Sequence, residues 1–380
     1  MTASSLRLLT AAALAVAAIA VSASGVLASG DLASCILQPK EGDAPDNVGA
    51  ILEAAVAPST NDVWVMGSHL SGPGSSPSAQ HWSGSGWTKV ELDLPAKGIS
   101  VSSIYDAKAF SSDDIWAVGS WQGDLPIVQH WNGKVWSAVR VPEMPGDEQI
   151  LTGIDGTGPD DIWVVGERHA GRQEHGVMLH YDGRRWSVIP PPPDAAVLHD
   201  VAMIGAEPTV VGWSISPAGF AQGVIATYAR SAWQVAAIPN HPQQNLFMFG
   251  IASATPGGAW VVGFSNDSPN RDTAHAFQRT AGVWQEVPVP DITGSARLVA
   301  VATDAEGTVA VGHVLLNGID RDLVLSATGA GWEEMSGSGE GAPDTLTGVT
   351  LQDGTVWAVG RGVVTGATYG VPSARIYTCG

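Results

Sequence analysis

Residues 113–119 read Asp-Asp-Ile-Trp-Ala-Val-Gly, a polar pair followed by a short apolar segment that ends on glycine. Residues 61–67 (NDVWVMG) and 160–166 (DDIWVVG) repeat this pattern, and shorter versions occur at 209–212, 259–263, 308–312 and 355–360. The closing glycines stand at 67, 119, 166, 212, 263, 312 and 360, so that successive copies are 46 to 52 residues apart. A period of this length indicates a repeat architecture.

A tryptophan follows each of the first six closing glycines, at positions 87, 136, 186, 233, 284 and 332. Between these markers lie further apolar segments and turn sequences such as Asn132-Gly133 and Asp182-Gly183, whose glycines suit the positive φ of tight hairpins. Four short antiparallel strands per repeat, seven times over, predict an all-β, seven-bladed β-propeller with four-stranded antiparallel blades over residues 49–380.

The last repeat offers three strands, so its fourth has to come from elsewhere. Residues 35–39 (Cys-Ile-Leu-Gln-Pro), within an N-terminal segment 29–48, imitate the closing strand Val139–Pro142 of an earlier repeat. We therefore expect the N-terminal strand to close the ring.

The N-terminus predicts export. Arg7 precedes an apolar run, Leu8 to Val21, and small residues follow it, which is typical of a signal peptide over residues 1–28. The two cysteines, Cys35 and Cys379, stand near the ends of the chain, and we expect a disulfide between them in a secreted, extracellular protein. The alternative is a cell-surface lipoprotein, because Leu32-Ala33-Ser34-Cys35 matches the lipobox pattern in which Cys35 carries a lipid anchor.

Composition excludes several classes of partner. The chain has 18 Lys and Arg against 37 Asp and Glu, a net charge of −19, whereas nucleic acids require a basic surface. No apolar run downstream of the signal peptide is long enough for a transmembrane helix in the mature chain. We expect a monomer without a cofactor. We also expect no metal site, since the paired aspartates 113–114 and 160–161 are good turn formers and no HxH or HxxxH spacing occurs.

The strings SSDDIWAVG (111–119) and QHWNGKVWS (129–137) resemble repeats of secreted bacterial propeller proteins, a group described as kelch-like or galactose-oxidase-like. The resemblance implies the fold and says little about activity. The copper chemistry of galactose oxidase needs a Tyr crosslinked to Cys, and both cysteines here stand at the chain ends. That enzyme activity is therefore not expected.

Most aromatic residues have a structural interpretation. Eleven tryptophans occupy two repeat positions and are expected in the core between blades, and His81, His130 and His180 recur at a third position. The segments that follow the closing glycines, such as 68–79, 167–176 and 264–275, are predicted as variable loops that bind ligand. The ligand-binding candidates of the sequence are Trp121, Trp213, Phe264, His169, His175, His275, His313 and Arg361.

Acidic residues are candidates for a second site. Near the start of each innermost strand we align Glu53, Ser103, Gly153, Asp200, Gly250, Ala300 and Gly348, a position that is small in most repeats. Glu53 and Asp200 break this rule, and with Asp155 they predict an acidic site in the central channel. The alternative is that these carboxylates only hydrate the channel.

The predicted function is binding of an extracellular ligand, namely a glycan, a peptide or a cell-envelope component, through the loop face, with an extracellular glycan or protein as the partner. One alternative is a polysaccharide hydrolase or lyase that uses the channel carboxylates, and another is a structural surface protein without a small ligand. The sequence favours binding over catalysis, because it contains no GxSxG, HExxH, Walker or CxxC motif.

Overall fold

A computed structural model describes residues 32, 36–39, 49–71, 74–94, 102–121, 125–146, 148–171, 173–239, 243–254, 257–268, 271–329, 331–335, 344–363 and 372–379. The predicted signal peptide 1–28 and Cys35 lie outside these residues. Among the described residues, no helix is long and apolar enough to cross a membrane.

Seven four-stranded antiparallel sheets form the blades of a β-propeller, which confirms the predicted fold. Blades one and two contain β2 (Ala50–Ser59), β3 (Asp62–Ser71), β4 (Gly74–Trp82), β5 (Trp87–Val90) and β6 (Ser103–Ser111), β7 (Asp114–Trp121), β8 (Leu125–Trp131), β9 (Trp136–Ala138). Blades three and four contain β10 (Glu148–Gly158), β11 (Asp161–Ala170), β12 (Gln173–Tyr181), β13 (Trp186–Val188) and β14 (Ala195–Ile204), β15 (Glu207–Ile215), β16 (Ala221–Ala229), β17 (Ala232–Val235). Blades five and six contain β18 (Asn245–Ala254), β19 (Gly258–Ser268), β20 (Arg271–Thr280), β21 (Val283–Val287) and β22 (Ser295–Thr303), β23 (Thr308–Leu316), β24 (Ile319–Thr328), β25 (Gly331–Glu334).

Blade seven joins the two ends of the chain. It contains β26 (Asp344–Gln352), β27 (Thr355–Val363), β28 (Pro372–Cys379) and, as its outer strand, the N-terminal β1 (Gln38–Pro39). Gln38 pairs with Thr378, and the buried side chain of Leu37 packs with Val356 and Tyr377. The predicted closure by an N-terminal strand is confirmed, whereas the predicted Cys35–Cys379 bridge involves a residue outside the described part of the chain.

The core lies between blades, where eight of the eleven repeated tryptophans are buried as expected, while Trp186, Trp233 and Trp284 are partly buried against it. Trp64 is 1% exposed and contacts Trp131 and Trp136 of the next blade at ring-centroid distances of 4.8 and 5.4 Å. The same kind of contact recurs around the ring, for example between Trp260 and Trp332 at 4.9 Å. These contacts hold each blade to the next one.

The second aspartate of each DDIW repeat anchors a Trp–His pair. Asp161 accepts hydrogen bonds from Trp163 Nε1 at 3.0 Å and pairs with His180 Nε2 at 2.8 Å, while the His180 ring stacks on Trp163 at 4.0 Å. Asp114, Trp116 and His130 form the same arrangement in blade two. The structure therefore gives these aspartates and the repeated histidines a structural role.

The predicted variable loops are mostly strand. β11 continues to Ala170 and β12 begins at Gln173, so the segment 167–176 is a long hairpin rather than an open loop. The sequence did not predict these strand ends because they consist of polar residues, glycine and proline. Backbone pairing extends the strands there without an apolar pattern. We call the end of the ring with these hairpins the loop face.

Candidate functional site

Each innermost strand contains a β-bulge near the loop face. The register shifts between Leu52 and Ala54 in blade one, and at the equivalent place in the other six blades, so that one residue per blade lies opposite no partner. These bulged residues, which we call the bulge ring, are Glu53, Tyr105, Thr152, His199, Phe249, Val299 and Thr347. A bulge redirects a side chain, and bulges are frequent next to functional sites.

The closing glycines explain why the bulges recur. Gly67 pairs with Leu52 directly beside the bulge, and a Cβ atom at Gly67 would overlap the carbonyl oxygen of Ile51. Gly166 would meet the carbonyl oxygen of Ile150 in the same way, as would the other closing glycines with their own innermost strands. The repeated glycine therefore allows the innermost strand to cross close above it.

The residue after the bulge is Gly or Ala in five of the seven blades, for a different reason. A Cβ atom at Gly153 would lie 2.7 Å from the Cα of Asp200, and one at Gly250 would lie 2.9 Å from the Cα of Ala300. The sequence alignment was wrong here, because Glu53 is a bulged residue whereas Asp200 occupies the position after the bulge. Asp106, which the sequence analysis missed, is the true counterpart of Asp200 in blade two.

The channel aspartates connect neighbouring blades. Asp200 accepts hydrogen bonds from the backbone amides of Val201 at 2.7 Å and Ile251, in blade five, at 2.9 Å. Asp106 makes the equivalent bonds to Ala107 and to Ile154 of blade three.

Asp155 continues this pattern. It accepts from the amide of Met203 at 2.7 Å and forms an ion pair with Lys108 at 2.6 Å. Asp155 and Asp200 are thus engaged by backbone amides of the next blade, and together with Glu53 they line the central cavity, as the sequence analysis expected.

These carboxyl groups stand in a narrow cavity of about 370 Å³ formed by the innermost strands. Burial raises the pKa of Asp106 to about 7, although the amides of Ile154 and Ala107 oppose the rise. Burial and the neighbouring charge of Asp106 also raise the pKa of Asp200. Neighbouring like charges disfavour full ionisation, so Asp106 and Asp200 do not both ionise readily.

A wider cavity of about 530 Å³, which we call the mouth cavity, opens where the bulge ring meets the loop face. Its lining includes Glu53, His199 and Phe249 of the bulge ring together with Arg297 and Arg361. It brings together three of the sequence candidates, which are Arg361, His313 and Glu53.

Glu53 and Arg361 form the polar side of the mouth cavity. Burial raises the pKa of Glu53 to about 7, even though Arg361 and a hydrogen bond with Thr347 act in the opposite direction. Arg361 is exposed, and its Nε donates to Thr345 Oγ1 at 3.3 Å. It forms no salt bridge within 4.0 Å to a carboxylate of the described residues.

Arg297 is a second cation, and it was missed by the sequence analysis. Its Nε donates to Asp272 Oδ2 at 2.6 Å, and its guanidinium lies 4.6 Å from the ring centroid of Phe264. Burial pushes the pKa of Asp272 upward, but hydrogen bonds from Asn266 and Arg297 outweigh it and lower this pKa. Arg297 is therefore held in place by a carboxylate and an aromatic ring.

Phe249 lines the mouth cavity and belongs to a cluster of aromatic rings. Trp213, Phe247, Phe249 and Phe264 contact one another at centroid distances of 5.1 to 5.7 Å. Trp213 is half-buried within this cluster, whereas Phe264 is buried at its base. Trp121 is only 4% exposed and belongs to the core between blades one and two, which corrects its expected role as a ligand-facing aromatic.

Two histidines near the mouth cavity are neutral at pH 7. Nδ1 of His199 donates to the carbonyl of Phe249 at 3.0 Å, which leaves its Nε2 as an acceptor, and burial lowers its pKa to about 4. Burial, with nearby Arg297 and Arg361, lowers the pKa of His313 despite the opposing charge of Asp320. Tyr105 of the bulge ring keeps its proton, because burial raises its pKa.

The remaining histidine candidates lie away from the mouth cavity. His169 lies 3.7 Å from Glu148 and 3.8 Å from Glu167, and His175 lies on β12 in a groove between blades three and four. His169 and His175 therefore lie apart from His313, which lines the mouth cavity. Among the described residues, no group of three or more His, Cys, Asp or Glu side chains is arranged to hold a metal ion.

His275 lies in a separate network. Its Nδ1 donates to Glu286 Oε1 at 2.6 Å, and its Nε2 lies 2.9 Å from Ser265 Oγ. This order of groups is that of a nucleophile triad. However, Ser265 is 6% exposed and lines none of the described cavities, so we interpret the network as a link across the strands of blade five.

No family model matches the chain, and no curated protein matches it. Solved structures do match. The structure "YCF48 bound to D1 peptide" has a TM-score of 0.56 at 14% identity, covering 90% of this chain and 96% of that chain. A polysaccharide lyase, PL25 ulvan lyase bound to -[GlcA(1-4)Rha3S]-, also has a TM-score of 0.56, at 10% identity and the same coverage.

At these identities the similarity shows the fold alone. The fold defines a seven-bladed β-propeller, and its neighbours include one protein with a bound peptide and one with a bound acidic saccharide. The resemblance to the kelch-like group has no support from a family model.

Proposed function

We propose that the chain is a secreted binding protein that holds a carboxylate-bearing ligand in the mouth cavity. The observation that supports this proposal is the position of Arg361, an exposed guanidinium at the mouth cavity of a protein with a net charge of −19. A cation maintained in so acidic a protein favours an anionic ligand group.

The other charges of the mouth cavity form no ion pair with Arg361 within 4.0 Å among the described residues. Arg297 engages Asp272, Asp320 acts on His313, and Glu53 is largely protonated below pH 7 because its pKa is raised to about 7. A protonated Glu53 is a hydrogen-bond donor rather than a competing anion. Arg361 could then form a bidentate contact with a ligand carboxylate.

Phe249 gives the ligand an apolar contact. It lines the mouth cavity and is supported by Trp213 at a centroid distance of 5.7 Å, and its flat ring suits either a sugar face or an apolar side chain. The neighbours with bound peptide and bound acidic saccharide are consistent with both ligand classes.

The test compares two ligand panels by isothermal titration calorimetry at pH 6.5. One panel contains peptides with a free or an amidated C-terminus, and the other contains uronate or neutral oligosaccharides. We expect binding of carboxylate ligands that weakens about tenfold or more in Arg361→Ala, as for a lost charge-assisted hydrogen bond. Arg184→Ala, which removes the same charge from an exposed hairpin turn, is the matched control.

Carboxylate ligands that bind Arg361→Ala as tightly as the native protein would exclude this role for Arg361. Absence of binding in both panels would reject the proposal and favour a structural surface role.

A second candidate function, cleavage of an acidic polysaccharide, is favoured by one observation. Glu53 with a pKa near 7 and neutral His199 could exchange protons near physiological pH in the same cavity. Incubation with uronate polysaccharides would show it as new reducing ends or as unsaturated products absorbing in the ultraviolet. We expect any such activity to be lost in Glu53→Gln, and activity that survives this substitution would exclude Glu53 as the acid.

A further inference from the structure

A groove of about 1450 Å³ separates blades three and four at the loop face, and we call it the edge groove. Its walls are β12, the crossing segment 188–192 and the hairpin 214–217 of blade four. It shares no lining residue with the mouth cavity. The function proposed above does not use it.

One wall of the edge groove is a strand edge without a strand partner among the described residues. The outer strand β13 pairs with β12 only from Leu179 to Tyr181, and Ile189 N then donates to Met178 O at 2.9 Å. Peptide groups alternate in direction along a strand, and the β11–β12 register contains no bulge that would reset this alternation. The peptide groups of Gly176 and Glu174 therefore face the same edge as those of Met178.

The protein's own crossing segment leaves this edge open. Pro190, Pro191 and Pro192 have no amide hydrogen, so the chain after Ile189 cannot extend the pairing along β12. The groove also presents two exposed apolar side chains, Val188 at 49% and Ile215 at 51% exposure. Together these features form an apolar trough beside unpaired backbone groups.

The charges at the edge groove are mainly acidic. Glu143, Glu174 and Asp194 are exposed carboxylates, and the one arginine of the lining, Arg168, donates from Nη1 to the carbonyl of Pro145 at 2.6 Å. The potential along this edge therefore favours a cationic partner.

We propose that the edge groove binds an extended peptide segment with basic side chains, which adds to β12 as a further antiparallel or parallel strand. Backbone hydrogen bonds to Gly176 and Glu174 supply affinity, Val188 and Ile215 contact its apolar residues, and the three carboxylates select Lys and Arg. This site is independent of the ligand in the mouth cavity.

The probe is a bead library of acetylated, amidated random octapeptides, screened against the full chain. We expect enrichment of Lys and Arg at alternate positions. The affinity of the selected peptides should fall at least about fivefold in the double variant Glu143→Lys, Glu174→Lys. The matched control is Glu207→Lys, Glu306→Lys, which makes the same charge change at exposed hairpin turns of the opposite end and should bind as the native protein does.

Two further measurements separate strand addition from charge attraction alone. N-methylation of alternate amides in a selected peptide should abolish binding, and bound peptide should slow hydrogen exchange of the Gly176 and Glu174 amides at least about tenfold. A library that yields no binder, enriched acidic peptides, equal affinity of the groove variant, or full binding by the N-methylated peptide would each overturn the proposal.

Discussion

Replacing Glu53 with Gln should make the protein more stable at alkaline pH. The carboxyl group of Glu53 has a pKa of about 7 in the fold against an ordinary value of 4.5, because its burial in the mouth cavity outweighs the attraction of Arg361. The folded state therefore binds a proton more tightly than the unfolded chain does. The carboxyl group of Glu53 therefore destabilises the folded state most at a pH where it is ionised in both the folded and the unfolded protein.

The magnitude follows from linkage. A rise in pKa from 4.5 to about 7, at about 1.4 kcal/mol per pH unit, means that the ionised carboxylate costs at most about 3.5 kcal/mol. The cost is absent below pH 4.5, grows between pH 4.5 and about 7, and is constant above that. Glutamine carries no charge at any of these pH values, so the stability of Glu53→Gln relative to the native protein should increase across this window.

The assay is urea unfolding of both proteins at half-unit steps from pH 4.5 to 8.5, with the difference in unfolding free energy plotted against pH. Asp106 titrates in the same range in both proteins, so its contribution cancels to first order. Glu207→Gln, at an exposed hairpin turn, should give a flat difference. A flat difference for Glu53→Gln, or one that falls with pH, would show that Glu53 is ionised and held by Arg361.

Three further predictions concern the frame of the propeller, each measured by urea unfolding at pH 7. Gly166→Ala should cost more than about 2 kcal/mol because its Cβ would overlap a backbone carbonyl, whereas Gly158→Ala, with open space around the Cβ, should be neutral; equal effects would refute the close approach. Asp161→Ala should cost about 1 to 3 kcal/mol, since it leaves the indole N–H of buried Trp163 without its acceptor, and an unchanged midpoint would contradict this role. Leu37→Ala should cost about 2 to 4 kcal/mol because Leu37 is 3% exposed in the core of blade seven, and a negligible effect would show that the N-terminal strand does not stabilise the ring.

The sequence predicted the parts of the structure that repeat. The apolar segment before each closing glycine is buried and the tryptophan after it is buried or partly buried between blades, and such packing requires the same residue types in every copy. The closing strand at Gln38 was also predictable, because an incomplete seventh blade needs a partner.

The candidate site was less accessible to sequence reasoning because its residues do not repeat. Glu53 was identified, but it was placed at the wrong repeat position, and Arg297 and Tyr105 carried no pattern. One sequence rule would have found the bulge ring, since each bulged residue stands about 13 or 14 positions before a closing glycine. The opposite error occurred for Trp121, whose off-pattern position suggested exposure although packing between blades buries it.

The closure of blade seven has a consequence for how the chain matures. Because β1 and β28 come from opposite ends of the chain, the first segment has to stay unpaired until the last strand has been synthesised. A product that lacks its first residues would display the uncovered edge of β28, which is a template for association with other chains. Closure therefore covers an edge that would otherwise be open to pairing with another chain.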